Sequence, residues 1–174
     1  SDGAFLWERG DDLSEPVQMA ARYWADKKET LILQVAYEGE VRDLVWIVAL
    51  PSIPEVSHIP NEWNPFPELK FHVERKRHFG EDDASAPVVL LQEKTLGLFD
   101  CVVVKAEDPA ALHQWLSSRG YKFPETRTDV LEYYMKKKWV FVAMRVKSER
   151  LSARPKDGLN YGELHPVRFV FDSD

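Results

Sequence analysis

The chain has 174 residues, of which 44% are apolar and 30% charged, a globular composition that excludes collagen-like, low-complexity and wholly disordered chains. Its net charge of −6 argues against broad electrostatic attraction to nucleic acid or anionic lipid. The longest unbroken apolar run, Leu44–Leu50, is seven residues, against the roughly 20 that a membrane-spanning helix needs.

The charge is divided unevenly. Residues 1–87 hold 9 Lys and Arg against 17 Asp and Glu, whereas residues 88–174 hold 14 against 12. Solvated faces on one domain account for that split. The one cysteine, Cys101, allows neither an intramolecular disulfide nor a Cys-based zinc site. The start at Ser1-Asp2-Gly3, without Met, leads us to expect that something upstream was removed, a cleaved signal peptide being one alternative.

Residues 1–16 are polar and rich in Gly and Asp, and predict an irregular arm; Gln18–Trp24 predicts a short extended segment. Thr30–Tyr37 is rich in strand formers. Turn chemistry at Glu38-Gly39-Glu40 then leads into Leu44–Leu50, whose continuous apolar character predicts burial on both faces. Together these two segments predict a long hairpin. Five of the eleven prolines follow within residues 51–67, at Pro51, Pro54, Pro60, Pro65 and Pro67. Proline fixes φ and removes a donor, so an extended loop is expected there rather than a ladder. The acidic stretch near 80–87 predicts a mobile loop.

A second hairpin is expected from Val88–Lys94 and Phe99–Ala106 about the turn Leu96-Gly97-Leu98. Asp108 as N-cap, Pro109 at the first helical position and Gly120 at the C-terminal cap predict a helix over about 108–120. Leu112, Trp115 and Leu116 form its apolar stripe. A second helix is predicted over about 128–138, burying Val130, Leu131, Tyr134 and Met135, with Lys136-Lys137-Lys138 complementing its carbonyl end. Trp139–Val146 alternates strictly, with Val140, Val142, Met144 and Val146 on one face and Trp139, Phe141, Ala143 and Arg145 on the other. A last strand is expected over His165–Phe171. Strands, two helices and strands again predict one α+β domain over 1–174, with a largely antiparallel sheet of hairpins carrying both helices.

Local catalytic motifs are absent: there is no Gly-x-Ser-x-Gly, no phosphate-cradling Gly-x-x-x-x-Gly-Lys and no dinucleotide fingerprint. Cys101 lies in the apolar run Phe99–Val104 and reads as a buried, inert thiol. His72, Glu74 and His78 offer nitrogen and oxygen ligands, but their spacing matches no defined zinc pattern, so no metal site and no cofactor is expected. His113 and His165 read as structural or solvated. Trp63 and Phe66 on the proline-rich segment are candidate recognition residues, or else fold back over the core. Arg145 and Arg168 on two strands form a candidate carboxylate or phosphate site if they share a face, the alternative being cross-strand ion pairs with Asp or Glu.

Several blocks in order carry a family resemblance. Leu31–Gly39 with Trp46-Ile47-Val48, Phe99–Val104 with Ala106–Leu112 and Trp115-Leu116, Trp139–Ala143, Gly162–Arg168 and Phe171–Asp174 resemble the bacterial domain-of-unknown-function family 2330. The likeness covers most of the chain except roughly residues 55–87. It departs at Ala49, where the family often has proline. The resemblance implies an exported protein with an N-terminal signal peptide and, in some members, a C-terminal hydrophobic anchor; it implies no activity, cofactor or catalytic residue. Family sequences tend to continue past Asp174, so the chain is expected to be truncated there, leaving its last strand without a neighbour. The expectation is a non-catalytic, extracytoplasmic binding or interaction domain. Its partner would be an envelope protein or small ligand and not nucleic acid, its oligomeric state being left open. The rival is a hydrolase or transferase assembled from distant residues, with His72, Glu74 and His78 on a metal.

Overall fold

The computed structural model describes residues 6–7, 17–38, 45–59, 75–76, 86–97, 99–121, 128–146, 161–163 and 166–172. In chain order these form β1 (Leu6–Trp7), β2 (Val17–Ala25), β3 (Lys28–Glu38), β4 (Val45–Leu50), β5 (Glu55–His58), β6 (Arg75–Lys76), β7 (Val88–Leu96) and β8 (Phe99–Ala106). Helices α1 (Pro109–Ser118) and α2 (Thr128–Lys136) follow, then β9 (Val140–Val146), β10 (Tyr161–Glu163) and β11 (Val167–Asp172). The α+β class is as expected, but the strands form two antiparallel sheets and not one.

The central sheet has six strands in the order β1-β4-β9-β8-β7-β6. The alternation of β9 shows why it lies in the middle of the molecule. Val140, Val142, Met144 and Val146 face one apolar cluster, with Val56, Val167, Phe169 and Phe171 of the outer sheet. Phe141 and Ala143 face the other, with Leu112 and Leu116 of α1 and Leu131 and Met135 of α2. Side chains of opposite parity leave a strand on opposite faces, so a strand apolar at every position needs cover on both. All six residues of β4 are buried, as its continuous apolar run requires. The result is three layers: outer sheet, central sheet, helices.

The outer sheet runs β10-β3-β11-β5, with β2 also on β3. Residues Lys28–Leu33 of β3 pair with both β2 and β11, so β2 takes the edge of β3 that β11 does not. Ala36 pairs with Val17 of β2 and with Glu163 of β10, which puts β10 and β11 along one edge. Between Glu163 and Val167 that edge gains one residue on β3, which runs only from Ala36 to Leu33 over the same length. The last strand is thus flanked on both sides, by β3 and β5, and is not the unpaired edge anticipated.

The expected pairing of Thr30–Tyr37 with Leu44–Leu50 does not form, since β3 and β4 belong to different sheets. Their compositions explain this: β4 is apolar throughout and fits only the middle layer, whereas β3 buries Glu29, Thr30 and Gln34 and fits an outer one. Instead β3 forms a hairpin with β2, closed by Asp26 and Lys27 at φ 52° and 62°. Two positive φ values are what a two-residue type I′ turn demands. The proline-rich segment also departs from expectation, because Glu55–His58 pairs with β11. Those four residues contain no proline, and Ile59 extends the pairing by donating to the Pro166 carbonyl at 3.2 Å.

The second hairpin forms as expected, Leu96 opposite Phe99, with Gly97 at φ 57° and a register shift between Leu90 and Gln92. Both helices lie within their expected limits. The Asp108 carboxylate accepts from Ala111 N–H at 2.7 Å, capping α1. At its other end Tyr121 N–H reaches Leu116 O and Gly120 N–H reaches Ser117 O, a Schellman closure with Gly120 at φ 82°. Helix α2 closes identically through Trp139 N–H to Tyr134 O and Lys138 N–H to Met135 O, although the residue at positive φ there is Lys138. The proline-rich residues beyond Ile59 and most of the acidic 80–87 loop lie outside the described residues.

Candidate functional site

Arg145 and Arg168 do not come together. Arg145 is on β9 of the central sheet, on the parity that faces the helices. Arg168 is on β11 of the outer sheet, on the parity opposite to the buried Val167 and Phe169. Each guanidinium instead serves its own sheet. Arg145 Nη2 pairs with Asp100 Oδ2 at 3.1 Å across the β8–β9 register, and Thr95 Oγ1 of β7 donates to Asp100 Oδ1 at 3.2 Å. Arg145 Nη1 donates to the Arg119 carbonyl at 3.2 Å, at the C-terminal end of α1, and the guanidinium lies 5.1 Å over the Tyr121 ring. A Cβ at position 120 would meet Nη1, the movable end of the Arg145 side chain, so it is chiefly the φ of 82° that calls for glycine there. Arg168 Nε donates to Ser57 Oγ of β5 at 3.1 Å. Arg145 thus makes the cross-strand ion pair with Asp that was weighed against a shared anion site, whereas the cross-strand partner of Arg168 Nε is a serine hydroxyl.

Cys101 is buried in the cluster between the sheets, and burial pushes its thiol up to about 12. A thiol held neutral is a poor nucleophile. Trp63, Phe66, His72, Glu74, His78 and His165 lie outside the described residues. Among the described residues, no three His, Cys, Asp or Glu side chains gather as a metal centre requires.

A groove of about 370 Å³ lies on the helical side. Its floor is the end of β8, Lys105 and Ala106, continuing into Glu107 and the first residue of α1, Pro109. Its far wall is the second half of α2 with its closing turn: Glu132, Met135, Lys136 and Lys138. The Schellman closure at Lys138 brings that ammonium to the same groove as Lys136. Three ammonium and two carboxylate groups over apolar walls suit ion pairing. The lining includes no histidine, cysteine or serine that could act as nucleophile or proton-transfer base.

Of this lining, sequence reasoning singled out Pro109 as the first helical residue, Met135 as a core residue, and Lys136 and Lys138 as complements of the helix dipole, none of them as a site. Lys105, Glu107 and Glu132 carry no local signal, because they meet only when β8, α1 and α2 are packed. Beside the groove, Lys137 lies 4.4 Å from the Tyr133 ring and 5.6 Å from that of Trp139, a cation–π clasp at the end of α2.

A three-layer α+β sandwich with a charged groove on its helical side defines the structural class. Residues 54–174 match the family described as an uncharacterized protein conserved in bacteria (DUF2330), and the chain belongs to that family. The match takes in the stretch 55–87, which the block-by-block likeness leaves out, and does not reach the Leu31–Gly39 and Trp46–Val48 blocks. No curated protein and no solved structure matches the chain.

Proposed function

We propose that this is a non-catalytic binding domain of the bacterial cell envelope, one that takes an anionic group of a small ligand or partner protein in the groove between the end of β8 and α2. The observation that carries the reading is the groove's lining, in which Lys105, Lys136 and Lys138 outnumber Glu107 and Glu132. Ammonium groups on separate elements hold a carboxylate or phosphate by charge-assisted hydrogen bonds. Family likeness supports the location outside the cytoplasm, since its members resemble exported proteins.

The test is a thermal-shift titration with citrate and with inorganic pyrophosphate, on the native chain and on a Lys105→Glu, Lys136→Glu double variant. A rise in melting temperature in the native chain that disappears in the variant is expected. No rise, or the same rise in both, would remove the groove as the binding site.

A further inference from the structure

Helices α1 and α2 end in the same closure with one difference. In α1 the N–H groups of Arg119, Gly120 and Tyr121 reach Leu116 O, Ser117 O and Leu116 O. In α2 those of Lys137, Lys138 and Trp139 reach Tyr134 O, Met135 O and Tyr134 O. The residue that turns left-handed is Gly120 in the first, at φ 82°, and Lys138 in the second, at φ 59°. A Cβ makes that conformation costly, which is why glycine, or less often asparagine, usually stands there. Of the three non-glycine residues at positive φ, Asp26 and Lys27 make the β2–β3 turn, and Lys138 is the one that lines the groove. Strained backbone of this kind gathers at ligand clamps, where a side chain is held in place against the stability of the fold.

Local reasons for a lysine at this position are weak. The carbonyl end of α2 already carries Lys136 and Lys137, so its dipole needs no third ammonium. All three bonds of the closure are main-chain bonds, so glycine would make them equally well. What lysine adds is a charge in a particular place. On a continuing helix, positions 136 and 138 would stand about 200° apart around the axis, facing away from each other. The left-handed residue breaks that course, and Lys136 and Lys138 line one groove. Lys137, between them in the chain, turns to the Tyr133 and Trp139 rings instead.

We infer that Lys138 is the anchoring residue for the ligand's anionic group, held left-handed against the stability of the fold so that its ammonium joins that of Lys136. The inference rests on the groove being the binding site. Two ammonium groups brought to one place suit a multiply charged anion, such as a phosphate or neighbouring carboxylates, better than a single carboxylate.

Calorimetric titration of the 174-residue chain with inorganic pyrophosphate at constant ionic strength, together with melting temperatures, tests this. Lys138→Gly keeps the closure and removes the ammonium. Without anion it should melt about 2–4 °C above the native chain, because the strain is relieved. Its dissociation constant for pyrophosphate should be about tenfold higher, the loss of one charge-assisted contact. Lys138→Arg keeps both the charge and the strained φ, and should keep the native affinity with no gain in stability. Lys137→Gln removes the same charge one residue away, outside the lining, and should leave the dissociation constant within about twofold. Native affinity in Lys138→Gly overturns the inference and leaves the groove standing as a site. An equal loss in Lys137→Gln also overturns it, since net charge alone would then account for the effect. A Lys138→Gly chain that melts no higher than the native one removes the strain, and the inference with it. A native chain that takes up neither pyrophosphate nor citrate removes the groove itself.

Discussion

The two faces of the central sheet are held to their neighbours by different means. Towards the outer sheet the contact is one of area and shape: Trp46 and Phe99, with rings 5.0 Å apart, share a buried layer with Leu33, Phe169 and Phe171. The polar tie described there, Lys94 Nζ to the Val56 carbonyl, is long at 3.4 Å. Towards the helices, equally buried apolar groups are joined by a directional seam, Thr95 to Asp100 to Arg145 to the end of α1. The difference follows from the elements. A strand's position is fixed by its ladder, so the outer sheet needs only to be pressed on. A helix on a sheet can slide and turn, and a bond from the sheet to its terminal carbonyl stops both.

The largest expected effect breaks both layers in turn. Phe141→Ala on the helical side and Phe169→Ala on the sheet side each remove a fully buried ring, at a cost of about 3–5 kcal/mol. Urea unfolding of the two variants measures this, and a loss below about 1 kcal/mol for either would mean that its layer is loosely packed. Next in size is the seam. Arg145→Met keeps the apolar stem but takes the ion partner from Asp100 and the donor from the Arg119 carbonyl, costing about 2 kcal/mol. The double variant Asp100→Asn, Arg145→Met should recover part of that loss in the same unfolding experiment; simple additivity would count against the pairing.

The smallest effect belongs to the sheet side and appears only in alkali. Burial raises the Cys101 thiol from its ordinary 9.0 to about 12 in the folded chain. Above pH 9 the unfolded chain releases this proton while the folded chain keeps it, so stability falls as pH rises, by about 1.4 kcal/mol per pH unit. Tyr121, raised chiefly by burial, adds to the loss at higher pH. Melting temperatures between pH 9 and 10 should drop in the native chain, and Cys101→Ala should flatten the drop. Equal slopes in both would place the thiol in contact with water.

What was legible in the sequence was whatever local chemistry decides. Asp108, Pro109 and Gly120 bound α1 because caps and φ preferences act within a few residues, and the alternation of β9 fixed both of its faces. The turn at Asp26-Lys27 gave little warning: aspartate accepts positive φ, but the second position holds lysine and not the usual glycine. Parity placed Arg145 on a strand face but was silent on which sheet it or Arg168 joined. Only the outer sheet's need for polar strands, seen in Glu29, Thr30 and Gln34, separates β3 from β4. The groove was the least legible feature, because its residues are distant in sequence and individually ordinary.

The partners of β3 set a timetable. Glu29 lies opposite Phe171 and Leu33 opposite Val167, so β3 has a neighbour that is synthesised long after it. Pairings between such distant parts of a chain are slow to form, because a long loop must close before any contact rewards it. Until residues 167–172 emerge from the ribosome, the β2–β3 hairpin stands with one flank open and the apolar face of the central sheet uncovered. Newly made protein therefore passes through an interval of exposed strand edges, during which a holding chaperone would bind it most readily.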